Sequence, residues 1–348
     1  SVRESTEIKI GALRVSEYIA GNLINEKVSS CISEILHNSD SVTENVSVAY
    51  LAYKVCGLIG DEKRKAAYYE RFTNYKQANE GDENDISIIF RENLKMGTPW
   101  VVKIVNIDFL LEQALSGNLD NQKFHLATHL SNLIKVSERV TVRHRAGRGL
   151  IDIAKTLPIE QLNEIVIELT KGLEIGEYQF SKYIPEYLGA LALQLCPAEF
   201  DELIENLRDL LENMNDHVGS VTLDTVGEIL EHYADYKYRR EESEDEYENR
   251  KIRMLGMLLK GFVNHQETVS QEAFMVIGQH IFGSGVLKEE EKFDAFRYLY
   301  KKLLTLIVSC RNYDMNFFTN AAALNHIYRC ISEYYFSKGK MELSEINK

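Results

Sequence analysis

Proline is scarce in this chain, with 4 residues in 348, against an average usage of about 5% in proteins. Because proline breaks helix interiors, its scarcity favours long helices. No run of about 18 apolar residues is present, so the sequence predicts no membrane-spanning helix, and its N-terminus has no signal-peptide pattern. The five cysteines include no Cys-x-x-Cys pair, which favours buried free thiols in a reducing compartment. We therefore expect a cytoplasmic protein.

The common catalytic signatures are also absent. The sequence contains no Gly-x-Ser-x-Gly elbow, no Walker loop, no Gly-x-Gly-x-x-Gly loop and no His-Asp dipeptide. Basic residues are outnumbered, with 40 Lys and Arg against 53 Asp and Glu and a net charge of −13. Because a nucleic-acid-binding protein usually carries a basic excess, nucleic acid is disfavoured as a partner. We expect no catalytic residues and no cofactor.

One histidine pair has metal-ligand spacing. His125 and His129 are four residues apart, so a helix would place them on the same side, where they could hold a metal ion. No Glu follows the first histidine, so the metalloprotease pattern fails, and the sequence offers no evident third ligand. Two partly exposed helix histidines are the plainer interpretation, and we expect no metal site.

Helical periodicity is nearly continuous along the chain, and no segment shows the period-two alternation of a strand. An internal repeat is visible within this pattern, since the apolar positions of one helix recur after 38 and again after 76 residues. All but Thr222 are apolar, and their spacing marks one helical face. The three sets are Val142, Ala146, Leu150, Ile153, Ala154 and Leu157; Phe180, Ile184, Leu188, Leu191, Ala192 and Leu195; and Val218, Thr222, Val226, Ile229, Leu230 and Tyr233.

The intervening helices follow the same step of 38 residues. Leu162, Ile165, Val166, Leu169 and Leu173 recur as Phe200, Leu203, Ile204, Leu207 and Leu211. The sequence predicts the next copy at Ile252, Leu255, Leu259, Phe262 and Val263, a step of 52 from Phe200. The excess of 14 residues coincides with a charged run, which we predict to be a solvated loop insertion near 235–247. Weaker copies follow near 274–282, 293–304 and 324–331.

A single helix pair cannot bury its apolar face, whereas stacked neighbours can. Two-helix units of about 34 to 47 residues are typical of tetratricopeptide, HEAT and armadillo arrays. We therefore predict an all-α fold, an α-solenoid of stacked antiparallel helix pairs forming an α-α superhelix. The predicted domains are an N-terminal helical region of irregular repeats at 1–97, the helix-pair array at 98–336 and a polar tail at 337–348.

The segment Val142-Arg143-His144-Arg145-Ala146, followed by Leu150, resembles the second helix of a HEAT repeat, which begins Val-Arg-x-x-Ala. Asn215-Asp216 before Val218 resembles the polar turn that precedes that helix. The resemblance covers about residues 120–336, although Phe180 and Val218 are not followed by Arg. It implies that the second helices line a concave face whose exposed residues change from basic to acidic. The corresponding positions are His144, Arg148 and Lys155; Lys182, Glu186 and Leu193; and Ser220, Asp224 and Glu231.

A local reversal of charge marks the candidate binding site. Basic residues are concentrated at Lys135, Arg139, Arg143, His144, Arg145 and Arg148, and guanidinium groups suit both phosphate and carboxylate. The alternative is a solvated helix face with intrahelical pairs. We predict a non-enzymatic scaffold or adaptor that binds a protein or peptide, including one with an acidic or phosphorylated segment. The predicted partner-binding residues are Arg143, His144, Arg148, Lys155, Lys182, Asp224 and Glu231.

Two other functions stay open at this point. A HEAT-like DNA alkylation-repair glycosylase shares the architecture, but it needs a basic groove with aromatic and acidic residues at the excised base, and Trp100 is the single tryptophan here. The chain is also compatible with the helical accessory region of a larger multidomain enzyme, since it begins at Ser1 rather than Met.

Overall fold

A computed structural model of the chain describes residues 2–23, 25–39, 46–77, 86–175, 177–213, 216–262, 264, 267–282, 286–288 and 291. Within these residues there are sixteen α-helices, one 3-10 helix and one π-helical segment, and no strand. The predicted all-α fold is confirmed. No helix in the described part of the chain is long and apolar enough to cross a membrane. The weaker repeats predicted at 293–304 and 324–331 and the polar tail at 337–348 lie outside the described residues.

The four prolines all stand at helix starts, where a missing backbone N–H costs no hydrogen bond. Pro99 and Pro158 come immediately before helices, Pro197 is the first residue of one, and Pro185 lies in the first turn of another. The helix interiors are therefore free of proline, as its scarcity predicts.

Residues Ser1–Thr156 form one compact unit. Helices α1, α3, α6 and α8 pack against one another in that order to form one layer. The other helices cover this layer, α2 packing on α1, α4 on α3, α5 on α6 and α7 on α8. The helices are α1 (Val2–Asn22), α2 (Glu26–Ser39), α3 (Val46–Ile59), α4 (Glu62–Gln77), α5 (Ile86–Leu94), α6 (Trp100–Leu115), α7 (Lys123–Val136) and α8 (Val140–Ala154).

Residues Leu157–Lys348 form the second compact unit. Here α11, α13 and α16 pack successively into one layer, and α9, α12 and α15 form the other. The helices are α9 (Ile159–Ile175), α10 (Tyr178–Ser181), α11 (Ile184–Ala192), α12 (Pro197–Asn213), α13 (Asp216–Glu231), α14 (Tyr233–Arg240), α15 (Glu244–Phe262) and α16 (Glu267–Val276), which continues as the π-helical segment Ile277–Phe282. A solenoid running through the whole chain stays a prediction. So does the boundary between residues 97 and 98, which was placed by repeat register rather than by compactness.

The apolar faces identified by the 38-residue step form the core. Leu150, Leu188 and Val226, which occupy equivalent positions in α8, α11 and α13, are each 0% exposed. In the three sets that contain them, only Leu157 and Phe180 are half-buried and the rest are buried. In the sets on α9 and α12, only Leu211 is half-buried. The register of these helices is therefore confirmed.

The register predicted for α15 is wrong. Ile252 is 63% exposed, and Leu255 is only half-buried. The buried positions follow those of α12 by 47 residues instead of 52, and two of them are cations, so hydrophobic pattern alone does not reveal this face. They are Tyr247, Arg250, Lys251, Met254, Met257 and Leu258.

The charged run at 235–247 is largely helical rather than a loop, although most of its charged side chains are exposed as predicted. Helix α14 occupies Tyr233–Arg240 and ends at Glu241, whose φ of 53° is left-handed. Ser243 and Glu246 form a capping box that starts α15, because Ser243 N donates to Glu246 Oε2 at 3.1 Å and Glu246 N donates to Ser243 Oγ at 3.3 Å. Glu242, in the turn between the helices, has a side chain only 2% exposed. The insertion is therefore helical and largely solvated, with Glu242 as its buried charge.

A buried polar chain crosses the first unit. Ser47 Oγ donates to Asn106 Oδ1 at 2.6 Å, and Asn106 Nδ2 donates to Asn93 Oδ1 at 2.9 Å. Asn93 Nδ2 lies 3.2 Å from His129 Nε2, which accepts if the imidazole is neutral. Burial lowers the pKa of His129 to about 4. The sequence interpretation of two partly exposed histidines is therefore wrong for His129, which is 4% exposed.

This histidine is expected to make the fold sensitive to acid. The unfolded chain protonates His129 below pH 6.5, whereas the folded chain does so only near pH 4. The free energy of unfolding should therefore fall by up to about 3 kcal/mol as pH decreases through this window. Urea denaturation of the wild type and His129→Gln at pH 7 and pH 4.5 checks this, because carboxylates contribute equally to both proteins. An equal loss of stability in the two proteins would contradict it.

Candidate functional site

Four of the predicted partner-binding residues belong to the first unit. One of them has a buried side chain, and the other three are exposed. Arg143 is 2% exposed, and its Nε donates to the backbone oxygen of Ser137, so it joins α8 to the preceding turn. His144 and Arg148 are exposed on α8, with Arg148 Nε donating to His144 Nε2 at 3.3 Å. Lys155 is exposed and pairs with Asp152 at 3.2 Å.

Three other cations on the α1–α3–α6–α8 layer are paired. Asp108 of α6 binds both Arg14 of α1 and Arg145 of α8, and Lys54 lies 3.3 Å from Glu17. Arg148 has no carboxylate within ion-pair distance among the described residues. The first unit therefore presents a largely neutralised charged face with one basic position on α8.

In the second unit, the predicted residues Asp224 and Glu231 lie on one helix, whereas Lys182 lies at the end of another. Lys182 is exposed at the end of α10, with its Nζ 5.2 Å from the Tyr183 ring centroid. Asp224 and Glu231 lie on α13, and Glu228 lies between them in sequence. The spacing i, i+4, i+7 places all three carboxylates on one face of the helix.

A histidine of the neighbouring helix completes this cluster. His280, in the π-helical segment after α16, is 3% exposed. Its Nδ1 lies 2.6 Å from Glu231 Oε2, and its Nε2 lies 3.7 Å from Asp224 Oδ1. Asp224, Glu228 and His280 each offer one ligand atom, and these atoms all lie within 4.8 Å of one another. We call Asp224, Glu228, Glu231 and His280 the carboxylate–histidine cluster.

Two glycines permit the close helix packing that forms the cluster. A Cβ atom on Gly227 would lie 2.9 Å from His280 Cδ2, and one on Gly189 of α11 would lie 2.7 Å from Glu228 Cβ. Any larger residue would therefore push α13 away from its neighbours. The irregular turn that carries His280 is also of a kind found frequently at functional sites.

Burial and repulsion between carboxylates shift the pKa values of groups in and beside the carboxylate–histidine cluster. The Asp224 carboxylate, followed by that of Glu231, raises the pKa of His280 to about 9 against the effect of burial. Burial raises the pKa of Glu228, and Asp224 and Glu231 raise it further, although His280 opposes them. Burial also raises the pKa of Glu272 on α16, and Asp224 adds to this.

Sequence reasoning missed Glu228, Glu272 and His280. Asp224 and Glu231 were found because they follow the 38-residue step along the exposed stripe, whereas Glu228 was not at a repeated position. The signal for His280 was its place in the polar pair Gln279-His280, which lies between the apolar Ile277 and Ile281. The π-helical segment changes the helical register at this point, so periodicity could not show which way His280 faces.

Comparisons with known proteins leave the family open. No family model matches the chain, and no curated protein does. Among solved structures, the chain is similar to two crystal structures of engineered proteins from the Northeast Structural Genomics Consortium. One has 16% identity and a TM-score of 0.29 over 71% of this chain and 98% of that chain. The other has 14% identity and a TM-score of 0.31 over 91% of this chain and 74% of that chain. Likeness at this level indicates nothing about function.

Proposed function

We propose that the protein is a non-enzymatic, HEAT-like repeat scaffold or adaptor that binds a protein or peptide. The observation that supports this best is the convergence of carboxylates from three successive helices on one face of the second unit. They come from α11, α13 and α16, and we call them the acidic face: Glu186, Asp224, Glu228, Glu231 and Glu272.

The chemistry of the acidic face favours a partner segment rich in lysine or arginine. Asp224, Glu228 and Glu272 of this face are half-buried, and its carboxylates repel one another. Cationic side chains from a partner would relieve this repulsion and form charge-assisted hydrogen bonds. A local negative potential also steers a basic segment to the face. The same potential repels a phosphate backbone, which disfavours nucleic acid as a ligand there.

A second docking position is proposed for an acidic or phosphorylated segment. It consists of His144 and Arg148 on α8 and Lys155 at its end. The guanidinium of Arg148 supports it, because no carboxylate of the described residues lies within ion-pair distance of that group. Arg143 contributes to this position only through the packing of α8, because its side chain is buried. An Arg143→Glu variant would therefore report on folding, whereas Arg148→Glu would report on binding.

A labelled octalysine peptide tests the acidic face by fluorescence anisotropy in the presence of EDTA. The double variant Asp224→Asn, Glu231→Gln should bind about tenfold more weakly than the wild type, because two carboxylates of the acidic face are lost. The matched control is Glu164→Gln, Glu202→Gln, which removes two exposed carboxylates from α9 and α12 in the other layer. It should change affinity by less than about twofold.

Equal weakening in the two double variants would reject the acidic face as a site, because net charge alone would then explain the binding. Circular dichroism establishes that each variant is folded. Octaglutamate serves as the opposite-sign probe, and tighter binding of octaglutamate than octalysine by the wild type would also contradict the proposal.

A further inference from the structure

The ligand atoms of Asp224, Glu228 and His280 have the composition and spacing of a metal-binding set. One imidazole and two carboxylates come from two packed elements, α13 and the π-helical segment, and their ligand atoms lie within 4.8 Å of one another. Both elements belong to the same layer of the second unit. Small side-chain rotations would therefore bring the three groups around one ion without moving the backbone.

The hydrogen bond between His280 and Glu231 orients the imidazole within the cluster. Histidines that bind metals almost always donate their other ring N–H to a carboxylate, a carbonyl or water, which fixes the tautomer and the ring orientation. Here Nδ1 lies 2.6 Å from Glu231 Oε2. This contact leaves Nε2 as the atom directed at the other two carboxylates.

The Nε2 atom of His280 is buried and has no short contact with an acceptor among the described residues. The His280 side chain is 4% exposed, yet Nε2 lies 3.7 Å from Asp224 Oδ1, beyond the usual hydrogen-bond range of about 2.7–3.2 Å. No other hydrogen-bond partner of Nε2 lies among the described residues. Two ligands of one ion, each about 2.1 Å from it, lie about 3 Å or more apart, so an ion fits between these atoms after a small adjustment.

We propose that Asp224, Glu228 and His280 bind one divalent transition-metal ion of the zinc class, with Glu231 as the residue that positions His280. A mixed nitrogen and oxygen ligand set with an imidazole suits zinc, cobalt or nickel better than magnesium or calcium. The buried imidazole and the two close glycine contacts hold the ligands on packed helices. The proposal departs from the expectation of no metal site, which rested on His125 and His129 alone.

Calorimetric titration of the full, EDTA-treated chain with zinc chloride is the first test. We expect one zinc ion per chain, bound at least about tenfold more tightly than magnesium or calcium. Glu228→Gln and Asp224→Asn should each weaken zinc binding by at least about tenfold, because a ligand is lost. The matched control is His125→Gln, which removes an exposed histidine on α7 of the first unit and should leave zinc binding unchanged.

Visible absorption during a cobalt titration distinguishes the metal ligands from Glu231, the residue that positions His280. Cobalt chloride should give visible d–d bands in the wild type, and these bands should be lost or shifted in Glu228→Gln. Glu231→Gln keeps an acceptor for Nδ1 but removes its charge, so it should weaken binding by about 10- to 100-fold while the bands keep their positions. A merely structural role for Glu231 would not spare the bands while the affinity falls.

The proposal is overturned if the wild type binds no zinc, since the cluster would then be an ion pair between protonated His280 and its carboxylates. It is also overturned if Glu228→Gln and Asp224→Asn bind zinc as the wild type does while His125→Gln does not. Circular dichroism of each variant separates loss of ligand from loss of fold.

Discussion

Replacing Arg250 with methionine is expected to lower the free energy of unfolding by about 3–5 kcal/mol, the range found when one partner of a buried ion pair is removed. The side chain of Arg250 is 10% exposed and pairs with Asp201 of α12 at 2.8 Å and with Glu242. The Glu242 side chain is 2% exposed. Methionine would leave this carboxylate buried without a cation, although it would fill most of the space.

The surroundings of the ion pair make it hard for water to replace arginine. Glu242 also accepts a hydrogen bond from Tyr233 Oη at 3.1 Å. The Tyr233 ring stacks against Phe200 at 5.6 Å and against Tyr247 at 5.0 Å between ring centroids. Arg250 holds the pKa of Asp201 below its usual range, which indicates that the pair favours the charged form.

Urea denaturation followed by circular dichroism measures the loss, and Arg253→Met is the matched control. Arg253 lies on the same helix and also contacts Asp201, at 3.0 Å, but it is 34% exposed, so its removal should cost less than about 1 kcal/mol. Adding Glu242→Gln to Arg250→Met should recover part of the stability, because the uncompensated charge is removed. Similar losses for Arg250→Met and Arg253→Met would show that the pair is not desolvated.

The sequence predicts the all-α fold and much of the core because apolar periodicity directly reflects which helix face is buried. The 38-residue step holds from Val142 to Tyr233, where the core positions are apolar. It fails at α15 because Arg250 and Lys251 occupy core positions. Lys251 pairs with Glu248 of the same helix, whereas Arg250 pairs with Asp201 of α12. No local pattern shows such pairing, since Asp201 is 49 residues away.

The sequence identifies only part of the candidate site, because local patterns do not show contacts between helices. The repeat register predicts an exposed stripe of Ser220, Asp224 and Glu231 on α13, whereas Ser220 is buried and Asp224 is half-buried. His280 reaches Asp224 and Glu231 through a helix packed on α13, and this contact depends on Gly227 and on the π-helical segment.

Arg143 was predicted to bind a partner because basic residues are concentrated around it in the sequence. Its side chain is instead buried in the first unit, where it donates to the backbone oxygen of Ser137.

The corrected register of α15 predicts very different losses of stability for two alanine substitutions in this helix. Met254 is 0% exposed and Ile252 is 63% exposed, although they are two residues apart and face opposite sides of the helix. Met254→Ala should lower the free energy of unfolding by about 2–5 kcal/mol, because it leaves a cavity in the core. Ile252→Ala should change it by less than about 0.5 kcal/mol.

The pair is informative because each variant is the control for the other. Both truncate a large apolar side chain to alanine in the same helix, so a change in helix propensity affects both in the same direction. The step of 52 residues inferred from hydrophobic pattern demands a large effect at Ile252, whereas the step of 47 demands it at Met254. Urea denaturation of the two variants decides between these registers, and a greater loss in Ile252→Ala than in Met254→Ala would restore the first one.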